Sequence, residues 1–461
     1  MIRTRVSKKI VLLLAGDVFL LYAALWATLA IRYMPEDRAS LFQLHLFPFT
    51  LIFSLWLALV AGFGLYELRI LKNSRIFLYR LIQTMTINTI LAIVVFYFFP
   101  FAIEPRRNLL LIAGIGTALF FSWRWIFNMI VPRAPAARVM FLGISRETID
   151  LADYLTLNPQ LGWRPVAFVS HGESVQPTLP SLPSLPHFVL GPEGLSHLVR
   201  DFKPQAIIIS PEMKNNAEVV AALFKIIGLG LHTYDFAAFH EMLTGKIPLS
   251  LIREAWFLEN LIGIKKYSYD AGKRITDILL AALLSLPTLA LTPFIAAALK
   301  INSRGPIFFH QKRIGKNGAV FEILKFRSTW RTAVPEHLGW NKAEDAGAYT
   351  PVGALLRKTY LDELPQLINI FKGEMSFVGP RPERPEFVQR LARETPFYEM
   401  RLLVPPGITG WAQINMENDA SPEDAPEKMQ YDLYYVKNRS FMLDLLIMLR
   451  TTFTLLQRQG R

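Results

Sequence analysis

Residues 359–382 read TYLDELPQLINIFKGEMSFVGPRP, two neighbouring acids followed by a turn that carries an arginine. The pattern predicts a helix that begins with Asp362 as its N-cap residue and stops before Gly373, since glycine often terminates helices. Pro365 fits the first turn, where a missing N–H costs nothing. Four apolar residues recur at the spacing of one helical face: Leu364, Leu367, Ile368 and Phe371. The stretch therefore places two carboxylates at a helix N-terminus.

Asp362 and Glu363 are the candidate functional residues of this stretch. The helix dipole is expected to keep both ionised. An ionised pair can bind a hard cation, and one of its members can act as a nucleophile. Residues 379–382 add a rigid turn whose Arg381 guanidinium suits a pair of phosphate oxygens. On these residues alone, an ordinary capped helix followed by a loop is the simpler alternative, because capping acids are common.

The sequence LDELPQL (361–367) followed by GEMSFVGPRP (373–382) resembles the core signature of bacterial sugar transferases, the polyprenyl-phosphate phosphoglycosyltransferases. Further segments resemble this family in the same order: KR with an aspartate (273–277), GPIFF (305–309), KFRS (325–328), PGITGW (406–411) and YDLYY (431–435). The resemblance covers about residues 270–457.

The resemblance implies transfer of a sugar 1-phosphate from a UDP-sugar to polyprenyl (undecaprenyl) phosphate, with polyprenyl-diphosphate sugar and UMP as products. It implies that Asp362 is the nucleophile, which forms a phosphosugar-aspartyl intermediate, and that Glu363 helps to bind Mg²⁺. Such a reaction starts the assembly of exopolysaccharide, O-antigen or capsule on a lipid carrier.

Several basic residues are candidate phosphate ligands: Arg313, Lys325, Arg327, Arg357 and Arg381. Each alone is more simply a solvated surface charge. As a set around the acid pair, they suggest an anion-binding bowl at a membrane surface. The resemblance implies that Arg381 and the backbone of Gly379 hold the phosphoryl oxygens.

The composition of the 461-residue chain indicates a membrane protein. Hydrophobic residues make up 52% and charged residues only 19%, and the mean hydropathy is +0.28. The net charge of +13 suits nucleic acid, anionic lipid or phosphorylated substrates, and the apolar segments favour lipid and phosphate. The absence of cysteine excludes disulfides, thiolate zinc sites and thiol nucleophiles. We also expect no cleavable signal peptide, since the first apolar run is too long for one.

Residues 1–133 are predicted to form a four-span transmembrane bundle, with apolar segments at 10–31, 44–66, 81–100 and 109–131. Basic residues lie before the first span, between the second and third, and after the fourth, which places both ends of the bundle in the cytoplasm. Asp17 within the first span is either a functional acid or, as we prefer, a helix–helix hydrogen-bonding group.

Residues 134–250 are predicted to form a Rossmann-like α/β domain, because short buried strands alternate with helices. The proline- and serine-rich residues 171–187 are interpreted as a loop within it. The first strand ends at Gly143 without the further glycines of a dinucleotide-binding turn, so a structural or regulatory role is favoured over a cofactor site. The histidines lack metal-ligand spacing. Residues 251–271 are interpreted as a linker.

Residues 272–461 are predicted to form the phosphoglycosyltransferase catalytic domain, mainly α-helical, with a re-entrant membrane helix at 273–300. Prolines interrupt this apolar segment and both of its flanks are basic, so we expect it to bend near Ser285 and Pro287 and to return to the cytoplasm. The alternative is a kinked helix that crosses the membrane. That course would place the acid pair outside the cell, away from nucleotide sugars.

The sequence departs from the family pattern in two places. Thr329-Trp330 stands where a methionine usually follows KFRS, and residues 346–349 (AGAY) replace a typical Asp-Pro-Arg run. The second departure puts a donor-phosphate contact in doubt, and with it the sugar preference. The apolar residues 441–456 suit either an amphipathic helix on the membrane or a core helix.

We therefore expect a membrane protein of α plus α/β class in the bacterial inner membrane, with its catalytic domain on the cytoplasmic side. The expected partners are a UDP-sugar, undecaprenyl phosphate and membrane lipid, with Mg²⁺ as cofactor and no nucleic acid. The bundle shows no polar pathway, which favours packing or a homodimer over transport. Two alternatives are a non-catalytic scaffold of polysaccharide assembly and an oxidoreductase built on the middle domain.

Overall fold

The computed structural model describes residues 2–67, 71–99, 105–133, 135–171, 185–190, 194–261, 266–330, 349–416 and 422–457. The chain divides into two compact units, Met1–Phe239 and His240–Arg461. Most of the predicted loop at 171–187 and residues 346–348 of the family departure lie outside the described residues. The finer domain boundaries stay predictions.

The first unit begins with four long helices: α1 (Ile2–Arg32), α2 (Arg38–Gly62), α3 (Arg75–Phe98) and α4 (Pro105–Ile130). Each contains a segment long and apolar enough to cross a membrane, and these segments coincide with the four predicted spans. Large apolar side chains such as Phe19 and Phe47 lie exposed on them, as expected of helices that face lipid. The predicted apolar N-terminal helices are confirmed.

Asp17 connects helices within the first unit. Its carboxylate lies 2.5 Å from the guanidinium of Arg124 on α4 and accepts a hydrogen bond of 2.7 Å from the hydroxyl of Tyr66. Arg124 also donates to the carbonyl of Leu65. All these groups belong to separate helices or to the turn after α2, so the interpretation of Asp17 as a helix–helix bonding residue agrees with the structure.

A five-stranded sheet completes the first unit, and every neighbouring pair of strands in it is parallel. Its strands are β1 (Ala137–Leu142), β2 (Trp163–Ser170), β3 (His187–Val189), β4 (Ala206–Ile209) and β5 (His232–Asp235). The strand order is β3-β2-β1-β4-β5. The helices that alternate with them are α5 (Arg146–Leu157), α6 (Gly194–Phe202), α7 (Pro211–Lys214) and α8 (Ala217–Lys225). The predicted parallel α/β organisation is confirmed, although β3 and α6 were not predicted.

Gly143 has a packing reason to be glycine. Its φ angle is +104°, in the left-handed region, and a Cβ there would overlap the side chain of Ser210. The close approach of β1 to the end of β4 therefore accounts for this residue without a bound phosphate.

The second unit is mostly helical, and α9 (Phe236–Thr244) crosses the division between the units. Its further helices are α10 (Glu254–Asn260), α11 (Tyr267–Asn302), α12 (Pro351–Lys358), α13 (Leu367–Lys372), α14 (Pro385–Glu394), α15 (Trp411–Asn415), α16 (Ala425–Asn438) and α17 (Phe441–Gln457). Its strands are β6 (Phe308–Ile314), β7 (Val320–Phe326), β8 (Ser376–Val378) and β9 (Gly407–Thr409). β6 and β7 form an antiparallel hairpin that the sequence analysis missed, and β8 and β9 form a short parallel pair.

The apolar helix of the second unit, α11, runs without interruption through Pro287 and Pro293. With the four helices above, it makes five in the described part of the chain that are long and apolar enough to cross a membrane. The hydroxyl of Ser285 donates to the carbonyl of Ala281, four residues earlier. Proline and such back-bonding both favour a bend in a helix. The re-entrant course stays a prediction.

The C-terminal helix α17 has one buried and one exposed face, and its placement on the membrane stays a prediction. Ile447 is fully buried in the core of the second unit, whereas Phe441, Met442 and Leu445 are exposed. The carboxylate of Asp444 on its buried face lies 2.8 Å from the ammonium of Lys273 on α11. One face of α17 is thus a core face and the other an exposed apolar face.

We expect Gly353→Ala to destabilise the second unit. Gly353 lies in the first turn of α12, where its N–H donates to the hydroxyl of the N-cap residue Thr350. A Cβ at this position would overlap the backbone carbonyl of Ser328. Alanine gains about 1 kcal/mol of helix propensity over glycine, but overpacking against backbone costs about 1–3 kcal/mol. A lower midpoint of thermal unfolding in detergent is expected.

The matched control for this prediction is Gly228→Ala, whose Cβ would meet open space. That variant should keep or slightly raise the midpoint of the wild type, because alanine restricts the unfolded chain more than glycine does. An unchanged or raised midpoint for Gly353→Ala would show that the backbone near Ser328 relaxes at no cost.

Candidate active site

The acid pair lies in a 3-10 helix, Leu361–Gln366, which leads directly into α13. Tyr360 precedes it with a φ angle of +57° and reverses the chain two residues after α12 ends. The prediction that Asp362 is the N-cap of an α-helix is therefore wrong. Only Thr359 and the left-handed Tyr360 separate α12 from the next helix, and that helix begins as a 3-10 helix, a type that is common at the ends of α-helices. The predicted glycine at the helix end is confirmed, since Gly373 has a φ angle of +84°.

Asp362 is buried and has no hydrogen-bond partner among the described residues. Its exposed fraction is 7%, and its carboxylate accepts no hydrogen bond from any residue that the structure describes. Burial raises its pKa to about 6, and the neighbouring charge of Glu363 adds to the rise, while Lys325 and other cations oppose it. With this pKa, Asp362 is still mostly ionised at neutral pH, although burial and not a helix dipole has the largest effect on it. Asp362 is a carboxylate with free oxygens and an elevated proton affinity.

Glu363 has the opposite environment. Burial alone would favour its neutral form, but its carboxylate lies 2.6 Å from the Lys325 ammonium and 3.5 Å from the Arg381 guanidinium. These two cations hold its pKa at about 2. The two adjacent acids therefore differ in role: Glu363 is a fixed negative charge that organises cations, and Asp362 remains open to a ligand.

The hairpin brings further residues to the same place. Side chains alternate along a strand, and the pairing of Phe309 with Lys325 and of Arg313 with Phe321 puts Arg313 and Lys325 on one face. Asn369 of α13 fixes this hairpin, because its amide bonds the backbone of Glu322 and Leu324 on β7. The result is a small polar recess whose lining includes Arg313, Lys325, Glu363, Gln366, Arg381 and Gly407.

Arg313 is a partly buried member of this recess. Its guanidinium donates to the side chain of Gln311 at 2.5 Å and to the carbonyl of Pro382 at 3.0 Å. Burial lowers its pKa to about 10; Glu383 opposes this shift, and the positive charge of Arg381 adds to it. Arg313 therefore contributes positive charge to the recess and also fixes the turn that carries Arg381.

The structure places Arg327 elsewhere. Its guanidinium donates to the carbonyls of Ser303 and Arg304 and to the Ser303 hydroxyl, at the end of α11. A Cβ at Gly305 would overlap this guanidinium. Both terminal nitrogens are used by protein oxygens, so Arg327 ties β7 to α11 and is not grouped with the acid pair.

Arg357 reaches the acid pair from α12. Its charge lowers the pKa of Asp362, and its guanidinium lies 4.2 Å from the ring centroid of Tyr349. Tyr349 is the last residue of the run that departs from the family pattern. A stacked arginine keeps its edge N–H groups available for phosphate oxygens.

Gly379 has a structural function. Its N–H donates to the carbonyl of Thr409. The expectation that this N–H holds a phosphoryl oxygen is therefore wrong. A Cβ at Gly379 would overlap the carbonyl of Pro405, and one at Gly407 would overlap the backbone of Gly379. These glycines allow β8 and β9 to approach each other closely. Ser285 and Pro287 lie in α11 and are not part of the recess.

The sequence analysis missed a group of charges buried behind the arginine-bearing turn: Glu383, Arg401, Lys428 and Asp432. Lys428 lies 2.5 Å from Glu383, and Arg401 lies 2.8 Å from Asp432. These residues are far apart in sequence and no spacing rule connects them. The only available signal was that Asp432 lies in the YDLYY segment.

The residues present fit Mg²⁺ held mainly by its phosphate partners. Among the described residues, no group of three or more His, Cys, Asp or Glu side chains could hold a metal ion. Asp362 has free oxygens and Glu363 is ionised beside it. Mg²⁺ is commonly bound by one or two carboxylates together with substrate phosphates and water, which this donor set can supply.

The second unit thus combines a long apolar helix with a recess that Glu363 and three cations line, and Asp362 is the neighbour of Glu363 in the chain. This combination suits the class of membrane-associated proteins that act on anionic substrates. The bacterial sugar transferase family model matches residues 268–458. The chain is 39% identical over 192 residues to the uncharacterized sugar transferase EpsL of Bacillus subtilis, an alignment that covers 41% of this chain and 89% of that protein. The chain belongs to the bacterial sugar transferase family.

Two further relatives carry functional names. The chain is 40% identical over 229 residues to a UDP-N-acetylgalactosamine-undecaprenyl-phosphate N-acetylgalactosaminephosphotransferase of Aeromonas hydrophila, covering 49% of this chain and 53% of that protein. It is 28% identical over 341 residues to a UDP-glucose:undecaprenyl-phosphate glucose-1-phosphate transferase of Xanthomonas campestris pv. campestris, covering 69% of this chain and 66% of that protein. The alignments thus span about half and about two thirds of these two relatives.

Proposed function

We propose that this protein transfers a sugar 1-phosphate from a UDP-sugar to undecaprenyl phosphate, giving UMP and undecaprenyl-diphosphate sugar. The observation that carries this proposal is the buried Asp362, whose carboxylate accepts no hydrogen bond from the described residues, beside a Glu363 that two cations hold ionised. The names of the Aeromonas and Xanthomonas relatives describe this type of reaction with two different sugars. The sugar of the present protein is a question for experiment.

The chemistry proceeds in two displacements. A carboxylate oxygen of Asp362 attacks the phosphorus that bears the sugar, the bond from this phosphorus to the bridging oxygen breaks, and UMP leaves with that oxygen. A phosphate oxygen of undecaprenyl phosphate then attacks the same phosphorus and the carboxylate of Asp362 is released. Covalent catalysis divides one difficult transfer into two easier ones.

The cations of the recess would bind and orient the phosphoryl groups. The Arg381 side chain is 37% exposed, so its guanidinium is accessible to a ligand. Lys325 and Arg313 add positive charge beside it. Fixed positive charges stabilise the negative charge that develops during transfer. Glu363 holds Lys325 and Arg381 in place, and it would hold Mg²⁺ together with Asp362. When bound, Mg²⁺ would supply charge neutralisation for the departing phosphate.

The membrane arrangement belongs to the same proposal. We take the four N-terminal helices as a transmembrane bundle of the inner membrane, the parallel sheet as a Rossmann-like cytoplasmic domain, and α11 as a re-entrant helix bent near Ser285 and Pro287. This course keeps the acid pair on the cytoplasmic side, where UDP-sugars are found. It also lets the lipid-borne acceptor phosphate reach the site from the membrane.

The test is UMP release by detergent-solubilised protein from a panel of UDP-sugars. We expect release from at least one of them only when undecaprenyl phosphate and Mg²⁺ are both present. UMP release without the lipid would indicate hydrolysis. If no UDP-sugar gives UMP release, the proposed reaction is rejected in favour of a scaffold role. Matched reactions with TDP-sugars test for a different donor nucleotide.

A further inference from the structure

The turn that carries Arg381 is held by hydrogen bonds to its backbone carbonyl groups. All four consecutive carbonyl groups of residues 380–383 accept hydrogen bonds, each from a separate donor. In chain order the donors are the Gly407 N–H at 3.0 Å, the Arg401 guanidinium at 2.8 Å, the Arg313 guanidinium at 3.0 Å and the Ile314 N–H at 2.9 Å. The backbone here is fixed at every residue, so the Arg381 side chain leaves it from a set position.

The donor to the Arg381 carbonyl is itself a buried charge. Arg401 is only 2% exposed, and one of its terminal nitrogens donates to the hydroxyl of Tyr398 at 2.7 Å. The other terminal nitrogen bonds the Arg381 carbonyl and lies 2.8 Å from the carboxylate of Asp432, which is 1% exposed. Asp432 lies on α16, so this pair connects the turn to a core helix.

A second buried pair holds the next part of the turn. The Lys428 ammonium, also on α16, lies 2.5 Å from the Glu383 carboxylate. Lys428 and Arg401 hold the pKa of Glu383 at about 2 against the effect of burial. The turn is thus held to α16 by two largely buried ion pairs.

We infer that Arg401 is a positioning residue for the proposed transfer reaction: paired with Asp432, it holds the Arg381 carbonyl and so aims the Arg381 guanidinium at the site beside Glu363. The inference rests on the proposed function. Arg401 does not line the recess, and its contact with the site runs through the backbone of Arg381.

Stability alone is a poor explanation for these charges. A buried ion pair costs so much desolvation that apolar residues of similar volume usually stabilise a core as well or better. What an apolar residue cannot do is bond the Arg381 carbonyl from a fixed direction. Small displacements of a phosphate-binding group lower transfer rates strongly, so a rigid anchor at this carbonyl has a functional consequence.

The test uses the triple variant Tyr398→Phe/Arg401→Met/Asp432→Leu in the full-length protein. It removes the anchor while leaving no buried charge unpaired, so the fold should be retained. A matched control is Lys437→Met/Glu241→Leu, which removes a half-buried pair at 2.7 Å in the same unit that does not touch the turn. Arg401→Lys is a second variant, which keeps the charge beside Asp432 but loses the planar fork that reaches both Tyr398 and the turn.

The decisive measurement is a cycle with Arg381→Ala, read as kcat/KM for UMP release. We expect about a tenfold loss for the triple variant and about a 100-fold loss for Arg381→Ala. The protein that carries all of these substitutions should lose about 100-fold in kcat/KM rather than about 1,000-fold, because Arg401 acts through Arg381. Losses that multiply, or a folded triple variant with unchanged kcat/KM, would overturn the inference. Arg401→Lys should show the same non-additivity if the triple variant fails to fold.

Hydrogen exchange gives a readout that does not depend on the reaction. In the triple variant, amides of a peptide that covers residues 379–388 should exchange faster than in the wild type, while the control pair should leave them unchanged. Unchanged exchange in this peptide would also overturn the inference. If the wild-type protein releases no UMP, the proposed function is rejected. Hydrogen exchange would then still decide whether Arg401 anchors the turn.

Discussion

Asp362→Asn is expected to abolish UMP release while the protein stays folded. An amide oxygen is a poor nucleophile for phosphorus, and loss of a covalent nucleophile commonly costs about 10⁴-fold or more in kcat. The carboxylate receives no hydrogen bond from the described residues, so an amide of the same shape breaks no existing contact. The measurement is UMP release under single-turnover conditions, together with unfolding in detergent.

The same variant should be more stable than the wild type above about pH 6. Burial raises the folded pKa of Asp362 to about 6 from its ordinary 3.8, so ionisation of this acid opposes folding. The cost is absent below the unfolded pKa, grows as the pH rises, and is complete above the folded pKa. At about 1.4 kcal/mol per pKa unit it reaches up to about 3 kcal/mol. The stability gain of Asp362→Asn should therefore be visible at pH 8 and vanish near pH 4.

The pH dependence of activity follows from the same shift. The nucleophile must be ionised, so kcat/KM for the wild type should fall about tenfold for each pH unit below about 6. Asp201→Asn, an exposed acid on α6, is the matched control and should change neither activity nor stability. Wild-type UMP release by Asp362→Asn would remove the nucleophile assignment and leave the family membership intact.

Much of the fold follows from periodicity in the sequence. Apolar runs of about 20 residues have no other stable solution than a helix in lipid, and α1 to α4 lie where these runs predict them. Buried parallel strands such as Ala206–Ile209 read as continuous apolar runs, which made them visible. The β6–β7 hairpin was missed because its less exposed face carries polar residues such as Gln311, Arg313 and Lys325, so apolar and polar residues do not alternate along β6.

The site was only partly predictable, for a physical reason. The acids and Arg381 are neighbours of a short motif, so local sequence was enough to find them. Arg327 and Gly379 belong to motifs as well, but their partners at Ser303 and Thr409 are distant in sequence, and these partners decide that both have structural tasks. Motif membership therefore identifies a neighbourhood, whereas the pairing of each side chain in the fold determines its role.

Lys325→Met is the second change with a large expected effect, because it removes the counterion of a buried acid. Lys325 and Glu363 are only 18% and 12% exposed, and their charged atoms lie 2.6 Å apart. Breaking a buried pair costs about 3–5 kcal/mol, and the remaining Arg381 at 3.5 Å should reduce this to about 2–3 kcal/mol. UMP release should fall at least about 100-fold, since the recess loses a phosphate-binding charge.

The sign of the pH effect distinguishes this pair from Asp362. Glu363 has a folded pKa of about 2 against an ordinary value of 4.5, so its pairing stabilises the protein above pH 4.5, and this contribution is lost as the pH falls towards 2. Denaturant unfolding should show the largest difference between Lys325→Met and the wild type near pH 7 and a smaller difference near pH 3. Lys312→Met, an exposed lysine on the same hairpin, is the matched control and should stay within about 0.5 kcal/mol.

A double variant separates the structural and chemical parts of the Lys325 effect. Lys325→Met/Glu363→Gln leaves no buried ionised acid, so most of the lost stability should return, whereas the missing cation and carboxylate should keep the protein inactive. Recovery of both stability and UMP release would mean that this ion pair serves only the fold, and the phosphate-binding charge would then have to come from Arg381 and Arg313. Stability that returns without activity is the expected result, because in the proposed reaction Lys325 binds a phosphoryl group and Glu363 helps to hold Mg²⁺.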